Sequence, residues 1–576
     1  MLNLDIARIF DEIADILELK GENAFKIRAY RKAARTIETL TQDLKVMAER
    51  GGVKELKKIP GIGEGIAKKI VEIAETGDCQ KHRELMQEMP PGLLALLAIP
   101  HVGPKTLTKL HQELGITTLE GLEAAAKAHK LAGLPGFGPK AEENILKGIE
   151  QYRGYQGRKL LSKALPYAES IVHELQKLDA VERILIAGSL RRMRETIGDI
   201  DILVVSKRPG EVMDAFTSLE GVEDVIAKGD TKSSIVLKGI NADLRVVDSA
   251  SFGAAAHYFT GSKDHNVRIR ELGVKRGLKI NEYGVFRGEE RIGGATEEDV
   301  FASVGLAYIP PELREDRGEV EAARENRLPH LIELKDLKGD LHVHTNWSDG
   351  KSSVAEMAEA ALALGYEYIA VADHSPAVGV AGGLTEDELA PRRAEIEEVN
   401  ARYEARGIRF RVLNAVEVDI KSDTTLDFPD SILEQFDLVA GAVHSKFTQD
   451  RAAMTARIIT AMENSHVDII AHPTGRLVGK RDPYEVDMAQ LMEAAKRTGT
   501  VLELNAFPER LDLNDLHCRM AKDYGVQVAI STDAHDALQM RDVIRYGIAT
   551  ARRGWLEPRD VVNTRGLEEV LSVVKK

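Results

Sequence analysis

Two aspartates one residue apart, Asp199 and Asp201, follow a Gly188 and Ser189 pair in the stretch AGSLRRMRETIGDIDILVVS. Residues i and i+2 of a strand face the same side, so this spacing presents two carboxylates together. Hard oxygen ligands of this kind suit Mg²⁺, which is held by one or two carboxylates and completed by substrate phosphates. The glycine before Ser189 lets backbone amides approach a phosphate, and successive amides in a turn form an anion nest. The combination reads as a nucleotidyl-transfer site. A lone Asp-x-Asp is more often a solvated strand end. Here RILIAG precedes Ser189 and ILVVS follows the pair, so the motif spans two adjacent apolar strands with a polar loop between them. Asp243, opening the predicted strand ADLRVVDS, adds a third carboxylate from a neighbouring strand. Two metal ions clamp the attacking and leaving oxygens of an in-line displacement better than one.

A second constellation lies further on. His342 and His344 sit in DLHVHTNWSDG with Asp349 just beyond, and His374 ends IAVADH. Glu417 lies in NAVEVDI, His444 ends VAGAVH, His472 ends IIAH, and Asp533 and His535 lie in STDAH. Nine imidazole or carboxylate side chains, including six of the chain's 16 histidines, thus recur where successive predicted strands end, and they converge on one rim. A single strand-end histidine is usually a hydrogen-bonded structural group, but this pattern predicts a multinuclear metal site. Imidazole with carboxylate suits Zn²⁺, Mn²⁺ or Fe, and open positions on such ions generate a hydroxide near neutral pH.

The elements that position these groups fall into three stretches. The first 150 residues are helical in pattern and repeat one short element: IPGIGEGIAKKI from Ile59, IPHVGPKTLTKL from Ile99 and LPGFGPKAEENI from Leu134. Each is an apolar residue and Pro, a tight turn ending in Gly, then a helix start, which leaves backbone amides facing outward to an anion. A DNA phosphate fits there, gripped by Gly61 and Gly63, by Gly103 and Lys105, and by Gly136 and Gly138. Contacts of that kind position a protein on any duplex without reading sequence. Ordinary helix-helix turns would not need the repeated pattern. From about 158 to 318, strands RILIAGS, IDILVVS, SSIVLKG and ADLRVVDS alternate with helices. The charge-rich stretch ELREDRGEVEAARENRLPHLIELKD carries no strand signal and reads as an interdomain linker. Residues 337–576 alternate short apolar strands with helices, the pattern of an α/β barrel, whose chemistry sits at the C-terminal ends of the strands.

Composition narrows the class. At 576 residues the chain has room for several domains. No apolar run reaches the roughly 18 residues a membrane span needs, and MLNLDIARIFDEIADILELK is an acid-bearing amphipathic helix, not a secretory signal. A cytoplasmic protein without a membrane partner is expected. Cys79 and Cys518, far apart and the only cysteines, are expected to be free thiols. The net charge of -14 is not evenly spread: residues 1–318 hold 47 Lys and Arg against 48 Asp and Glu, residues 319–576 hold 31 against 44. The acidity therefore belongs to the C-terminal part, and the N-terminal part has room for a basic face.

These motifs closely resemble those of the bacterial family X DNA polymerases, the DNA polymerase beta-like family, fused to a C-terminal polymerase and histidinol phosphatase (PHP) domain, over nearly the whole chain. The resemblance implies a multidomain α/β and α+β protein. Residues 1–90 would form a small helical 5′-phosphate or lyase-like domain and 91–157 a helix-hairpin-helix, fingers-like subdomain. Residues 158–250 would form the nucleotidyltransferase palm, 251–318 a thumb-like nucleotide-selection subdomain, 319–336 a linker and 337–576 a distorted (β/α) PHP barrel. It further implies that Asp199, Asp201 and Asp243 bind two Mg²⁺ or Mn²⁺ ions, with Asp243 placed to activate the primer 3′-hydroxyl. Gly188, Ser189 and Arg192 would hold the triphosphate of a dNTP. In YFTGSKDHN, Tyr258, Phe259 and Gly261 would crowd the 2′ position, Asn266 would face the minor-groove edge of the incoming base, and Arg270 the template. Lys263 stands where the animal repair enzymes carry Asp. In the N-terminal region Lys26, Tyr30 and Lys57 would meet a 5′-phosphate, and Lys69 aligns with the Schiff-base lysine of the repair members, although Gly65 and Phe25 replace a lysine and a histidine expected nearby.

For the barrel the resemblance implies three ions, Zn²⁺ or Mn²⁺. His342, His344, Glu417 and Asp533 would hold the first, and Glu417 would bridge to a second held by His444 and His472. Asp349, His374 and His535 would hold the third, with Asp533 shared. The expected function is gap-filling DNA synthesis in repair, on gapped or nicked DNA with a 5′-phosphate. The barrel would add a 3′-5′ exonuclease, 3′-phosphatase or abasic-site endonuclease. A nucleoid-associated monomer suffices for that role. The rivals are a phosphoesterase whose N-terminal half only tethers it to DNA, and a polymerase whose barrel is a structural prop. A third, nucleotide transfer to a small molecule or tRNA, lacks a use for the phosphate-gripping turns.

Overall fold

The computed structural model describes residues 3–575 apart from 39–43, 60, 77, 91, 100, 101, 135, 136, 139, 140, 144, 147, 150–157, 379–381, 479, 480 and 482. The chain divides into two compact units, Met1–Arg158 and Lys159–Lys576.

The first unit is helical. In the opening helix, Asn3–Leu19, apolar Ile6, Ile9, Phe10, Ile13, Ile16 and Leu17 recur at the spacing of one helix face. That face packs with Ile37 of Ala24–Glu38 and Ile66, Ala67 and Ile70 of Glu64–Thr76 in one core. A second core gathers Leu107 and Leu110 of Pro104–Leu114 with Leu122, Leu131 and Ile145. Gly103 caps that helix with Pro104 at its first turn, and Gly115 ends it in the left-handed conformation at φ 65°.

The second unit begins with a five-stranded sheet: β1 (Arg183–Ile186), β2 (Asp199–Val205), β3 (Val222–Lys228), β4 (Lys232–Leu237) and β5 (Ile240–Val247), in the order β1-β2-β5-β4-β3. Strands β2 and β5 run parallel, and the other pairs are antiparallel. Along β5 buried Ala242, Leu244 and Val246 alternate with half-buried Asn241, Asp243 and Arg245, so one face joins the core and the other is left for chemistry. Contrary to the sequence reading, Asp243 lies inside β5 and does not open it, because the antiparallel pairing with β4 extends the strand back to Ile240. Helices Phe252–Thr260 and Lys263–Lys275 follow, then a small sheet of β6 (Lys279–Asn281), β7 (Gly284–Arg287) and β8 (Glu290–Gly293).

The stretch expected to be a linker is packed. Glu319–Arg324 is helical, its Val320, Ala322 and Ala323 share a core with Ile269, Phe301 and Trp555, and Glu319 is fully buried. Two of its charges are paired against the earlier helix Lys263–Lys275: His265 Nδ1 lies 2.7 Å from Glu319 Oε1, and Arg268 donates to Glu321 at 2.8 Å.

Seven parallel strands then form a sheet in sequence order: β9 (Gly339–Val343), β10 (Tyr368–Val371), β11 (Arg411–Asp419), β12 (Leu438–Ala442), β13 (Ile469–Ile470), β14 (Val501–Asn505) and β15 (Val528–Ser531). They are buried on both faces, which is why they read as continuous apolar runs. The sheet nearly closes, since Val343 bridges to Ala534 and His344 N donates to Ala534 O at 2.9 Å. Cys79 and Cys518 are buried free thiols. Among the described residues no helix is long and apolar enough to cross a membrane.

Candidate active sites

Strand pairing assembles the first site. The parallel register sets Asp201 opposite Asp243, and Asp199 shares their face two residues back along β2. Burial, then the charges of Asp199 and Asp243, push the pKa of Asp201 up to about 7. The three carboxylates thus share one face of the sheet, where Lys232 on β4 lies 2.8 Å from Asp243 Oδ2. Sequence reading missed Lys232, which belongs to another strand. Gly188 is required by shape: its φ is 65°, and a Cβ there would lie 2.2 Å from Asp201 Oδ2. The buried Ser189 Oγ has no hydrogen-bond partner in the protein, which suits a phosphate acceptor in that turn.

Around this centre Arg192 is buried and donates from Nε to Glu315 Oε1 at 3.0 Å and from Nη1 to Thr260 O. Tyr258 and Phe259 meet edge to face at 5.1 Å at the end of Phe252–Thr260, and Gly261 caps that helix at φ 71° beside the Arg192 guanidinium. Asn266 donates to Tyr258 O at 2.7 Å, while its Oδ1 is buried without a partner. Arg270, one turn on, is exposed and donates to Asn266 O at 3.3 Å.

In the N-terminal unit, Lys26, Tyr30, Lys57 and Lys69 line one cavity of about 720 Å³ together with Gly61, Gly63, Gly65, Lys32 and Lys58. Five lysines with the first glycine turn make this an anion cradle. Lys69 Nζ lies 3.4 Å from Gly65 O and 6.0 Å from the Tyr30 ring centre. Gly138 accepts the backbone N–H of Ala141 as a further helix begins. Gly136 and the Lys105 side chain lie outside the described residues.

All nine candidate ligands of the barrel stand at one rim, at or just after strand ends. Eight of them form three overlapping groups that could each hold an ion: His344, Asp349, His374 and His535; His342, His344 and Asp533; and His374, Glu417 and His444. His472 Nε2 lies 2.8 Å from Glu417 Oε1. Where the resemblance gave His374 to the third ion alone, the structure also sets its Nδ1 2.7 Å from Glu417 Oε2, so His374 sits between two groups. His472 and Asp533 have φ of 29° and 54°, a region such residues rarely adopt. The buried Nδ1 atoms of His344 and His472 lack hydrogen-bond partners, and burial with the neighbouring His374 and His535 brings His344 to about 4 against the pull of Asp533, whereas at His374 burial is outweighed by Glu417, which lifts it to about 10. The His344 and His472 rings, kept from charge by burial and with unspent lone pairs, fit transition-metal ions.

The shell behind these ligands escaped the sequence reading. Glu503, inside β14, lies 2.8 Å from His342 Nδ1 and accepts the His472 N–H at 2.7 Å. Burial disfavours charge on His342, but Glu503, Glu417 and Asp533 outweigh it and raise its pKa well above the usual value. Asp419 lies 3.3 Å from His444 Nδ1, and Arg510 3.4 Å from Asp533 Oδ2. A carboxylate in the middle of the apolar run VLELNA was the available signal for Glu503.

Comparison with known proteins agrees with this division. A helix-hairpin-helix domain matches residues 1–79, a SAM-like helix-hairpin-helix tandem 93–151, the DNA polymerase beta thumb 255–315 and the PHP domain 340–506. The chain is 42% identical over 577 residues to the DNA polymerase/3′-5′ exonuclease PolX of Bacillus subtilis, covering 99% of each chain. It is 30% identical over 210 residues to a probable phosphatase of Thermoanaerobacter sp., 34% of this chain and 78% of that one. Rat DNA polymerase lambda is 23% identical over 345 residues, 54% of this chain and 56% of its own. With a full-length relative at that identity, and with thumb and PHP matches along the chain, the chain belongs to the family X DNA polymerases that carry a C-terminal PHP domain.

Proposed function

We propose that the chain is a DNA-directed DNA polymerase that fills short gaps in repair, with a metal-dependent 3′-5′ exonuclease in its PHP domain. The observation that carries the polymerase half is the register of Asp201 with Asp243 below an unpartnered Ser189 hydroxyl. Asp199, Asp201 and Asp243 would hold Mg²⁺ or Mn²⁺, which when bound neutralises charge developing on the attacking and leaving oxygens. Asp243 draws the proton of the primer 3′-hydroxyl. Ser189, the Gly188 turn and Arg192 bind the triphosphate of the dNTP and fix the α-phosphorus in line with that hydroxyl. Tyr258, Phe259 and Gly261 exclude a 2′-hydroxyl, Asn266 reads the minor-groove edge of the base, and Arg270 steadies the template.

In the barrel, the nine rim residues would hold three Zn²⁺ or Mn²⁺ ions, which when bound supply a nucleophile near neutral pH and Lewis acidity at phosphorus. Glu503 and Asp419 orient His342 and His444, and Arg510 receives the substrate phosphate. The helix-hairpin-helix turns and the lysine cradle grip backbone phosphates of gapped DNA, with a 5′-phosphate beside Lys26, Tyr30, Lys57 and Lys69. The Lys69 amine is the group there that could form a Schiff base with a 5′-deoxyribose phosphate. A monomer in the cytoplasm, working on the nucleoid, suffices for all of this.

One experiment tests both halves. A gapped duplex with a 5′-phosphate and a labelled primer is incubated with Mn²⁺, with and without dNTPs. The expected results are extension in the first tube and shortening from the 3′ end in the second. No extension would return the N-terminal half to a DNA tether, and no shortening would make the barrel a prop.

A further inference from the structure

The arginine assigned above to the triphosphate is tied to the PHP barrel. Arg553 ends the barrel helix Ala537–Arg553, which begins just after His535. Its Nη1 donates to Arg192 O at 2.8 Å and to Glu315 Oε1 at 2.9 Å. That same carboxylate oxygen accepts the Arg192 Nε–H at 3.0 Å. Arg553 Nη2 is anchored in turn on Asp515 of the barrel at 2.8 Å, where Arg317 also donates at 2.9 Å. Arg192, Glu315 and Arg553 are each less than a tenth exposed, so the three are not an incidental surface cluster.

The arrangement has a chemical logic. A buried carboxylate facing Arg192 competes with a triphosphate for the same guanidinium, and a sole counter-ion in a low-dielectric site would hold it firmly. A second guanidinium on the same oxygen divides that hold. The Arg192 carbonyl, fixed by the same Nη1, keeps the phosphate-binding turn in place. We propose that Arg553 is a positioning residue for DNA synthesis: beside Arg194, which donates to the other Glu315 oxygen at 3.5 Å, it loads the very oxygen that faces Arg192 and pins the Arg192 backbone, so that the PHP barrel sets how well the palm binds the incoming nucleotide. This rests on the reading of Arg192 as a triphosphate contact.

The test is steady-state insertion of dTTP opposite a templating adenine in a one-nucleotide gap, with 3′-end degradation measured in parallel on the full chain. Arg553→Ala is expected to raise KM for dTTP about tenfold, while kcat and the rate of degradation each change by less than about twofold. Arg553→Lys keeps the charge but not the fork, and is expected to fall between. It decides the matter should Arg553→Ala not fold. Arg545→Ala removes a pair with palm residue Glu169 (3.0 Å), and should leave KM unchanged. Arg192→Ala separates the two layers. If it leaves KM unchanged, the triphosphate reading fails and the proposal with it. If it raises KM while both Arg553 variants do not, the positioning role alone fails. A parallel fall of synthesis and degradation in the Arg553 variants, or an equal KM rise in Arg545→Ala, would also overturn it in favour of general docking.

Discussion

Substituting Gly188 by alanine should silence synthesis and spare degradation. The left-handed φ of 65° at this position costs an alanine about 1–2 kcal/mol in backbone strain. The added Cβ would lie 2.2 Å from Asp201 Oδ2 and 3.2 Å from its Cγ. An ordinary carbon-oxygen contact is about 3.5 Å, so the carboxylate must retreat by roughly 1 Å or turn to another rotamer. Mg²⁺ tolerates little departure from octahedral geometry at about 2.0–2.1 Å, and a misplacement near 1 Å in a catalytic group can lower a rate about 100-fold. Single-nucleotide gap filling by Gly188→Ala should therefore fall about 100-fold or more in kcat. The PHP rim touches none of these atoms, so shortening of a labelled 3′ end without dNTPs should stay within about twofold of wild type. Gap filling within about threefold of wild type would show that the Asp201 oxygen need not stand where the structure puts it. An equal loss of both activities would refute the reasoning from the other side.

Other substitutions should divide along the same line. His344→Ala should abolish 3′-end degradation while leaving extension intact, and Asp243→Asn should do the reverse, each read on the labelled gapped duplex. Glu503→Gln removes the carboxylate behind His342 without touching the rim, and should weaken Mn²⁺ binding about 10- to 100-fold in a direct metal titration. Lys69→Ala should remove borohydride-trapped adducts with a 5′-deoxyribose phosphate end while leaving extension of a recessed primer without a downstream 5′-phosphate unchanged. Glu297 gives an acid-dependence: burial pushes its pKa up, but Arg314 and Arg191 outweigh this and bring it to about 2. A depressed folded-state pKa contributes stability above the unfolded value of about 4.3, and that contribution, on the order of 3 kcal/mol, is lost as pH falls from there through about 2. The stability gap between wild type and Glu297→Gln in urea melts should thus be wide at neutral pH and close towards the bottom of that window.

The sequence disclosed what local pattern can carry. Asp199 and Asp201 were legible because strand alternation fixes their facing, and the barrel ligands because each falls where an apolar run stops. The cavity with Lys26, Tyr30, Lys57 and Lys69 came from likeness to a motif, and the structure puts those side chains around one hollow. What escaped depends on partners remote in the chain. Lys232 reaches Asp243 across a strand pair, and Glu315 meets Arg553 across 238 positions. The supposed linker misled for the same reason: a run of charges looks solvated until Glu319 is seen buried against His265 and Glu312 beside Arg552. Counting charges gives no information on who neutralises them.

The near-closure of the barrel fixes when each activity can arise as the chain is made. His342 on the first strand and His344 just after it share a group with Asp533, just beyond the last, so no partial barrel contains that set. The three palm carboxylates are present once residue 243 has been synthesised. Every nascent or prematurely ended chain that stops between these points holds the carboxylates for bond making and an incomplete set for bond breaking. On the proposed assignment of the rim, an unfinished molecule would carry at most one complete group, His374, Glu417 and His444, without the Asp533 and His535 that the other two need.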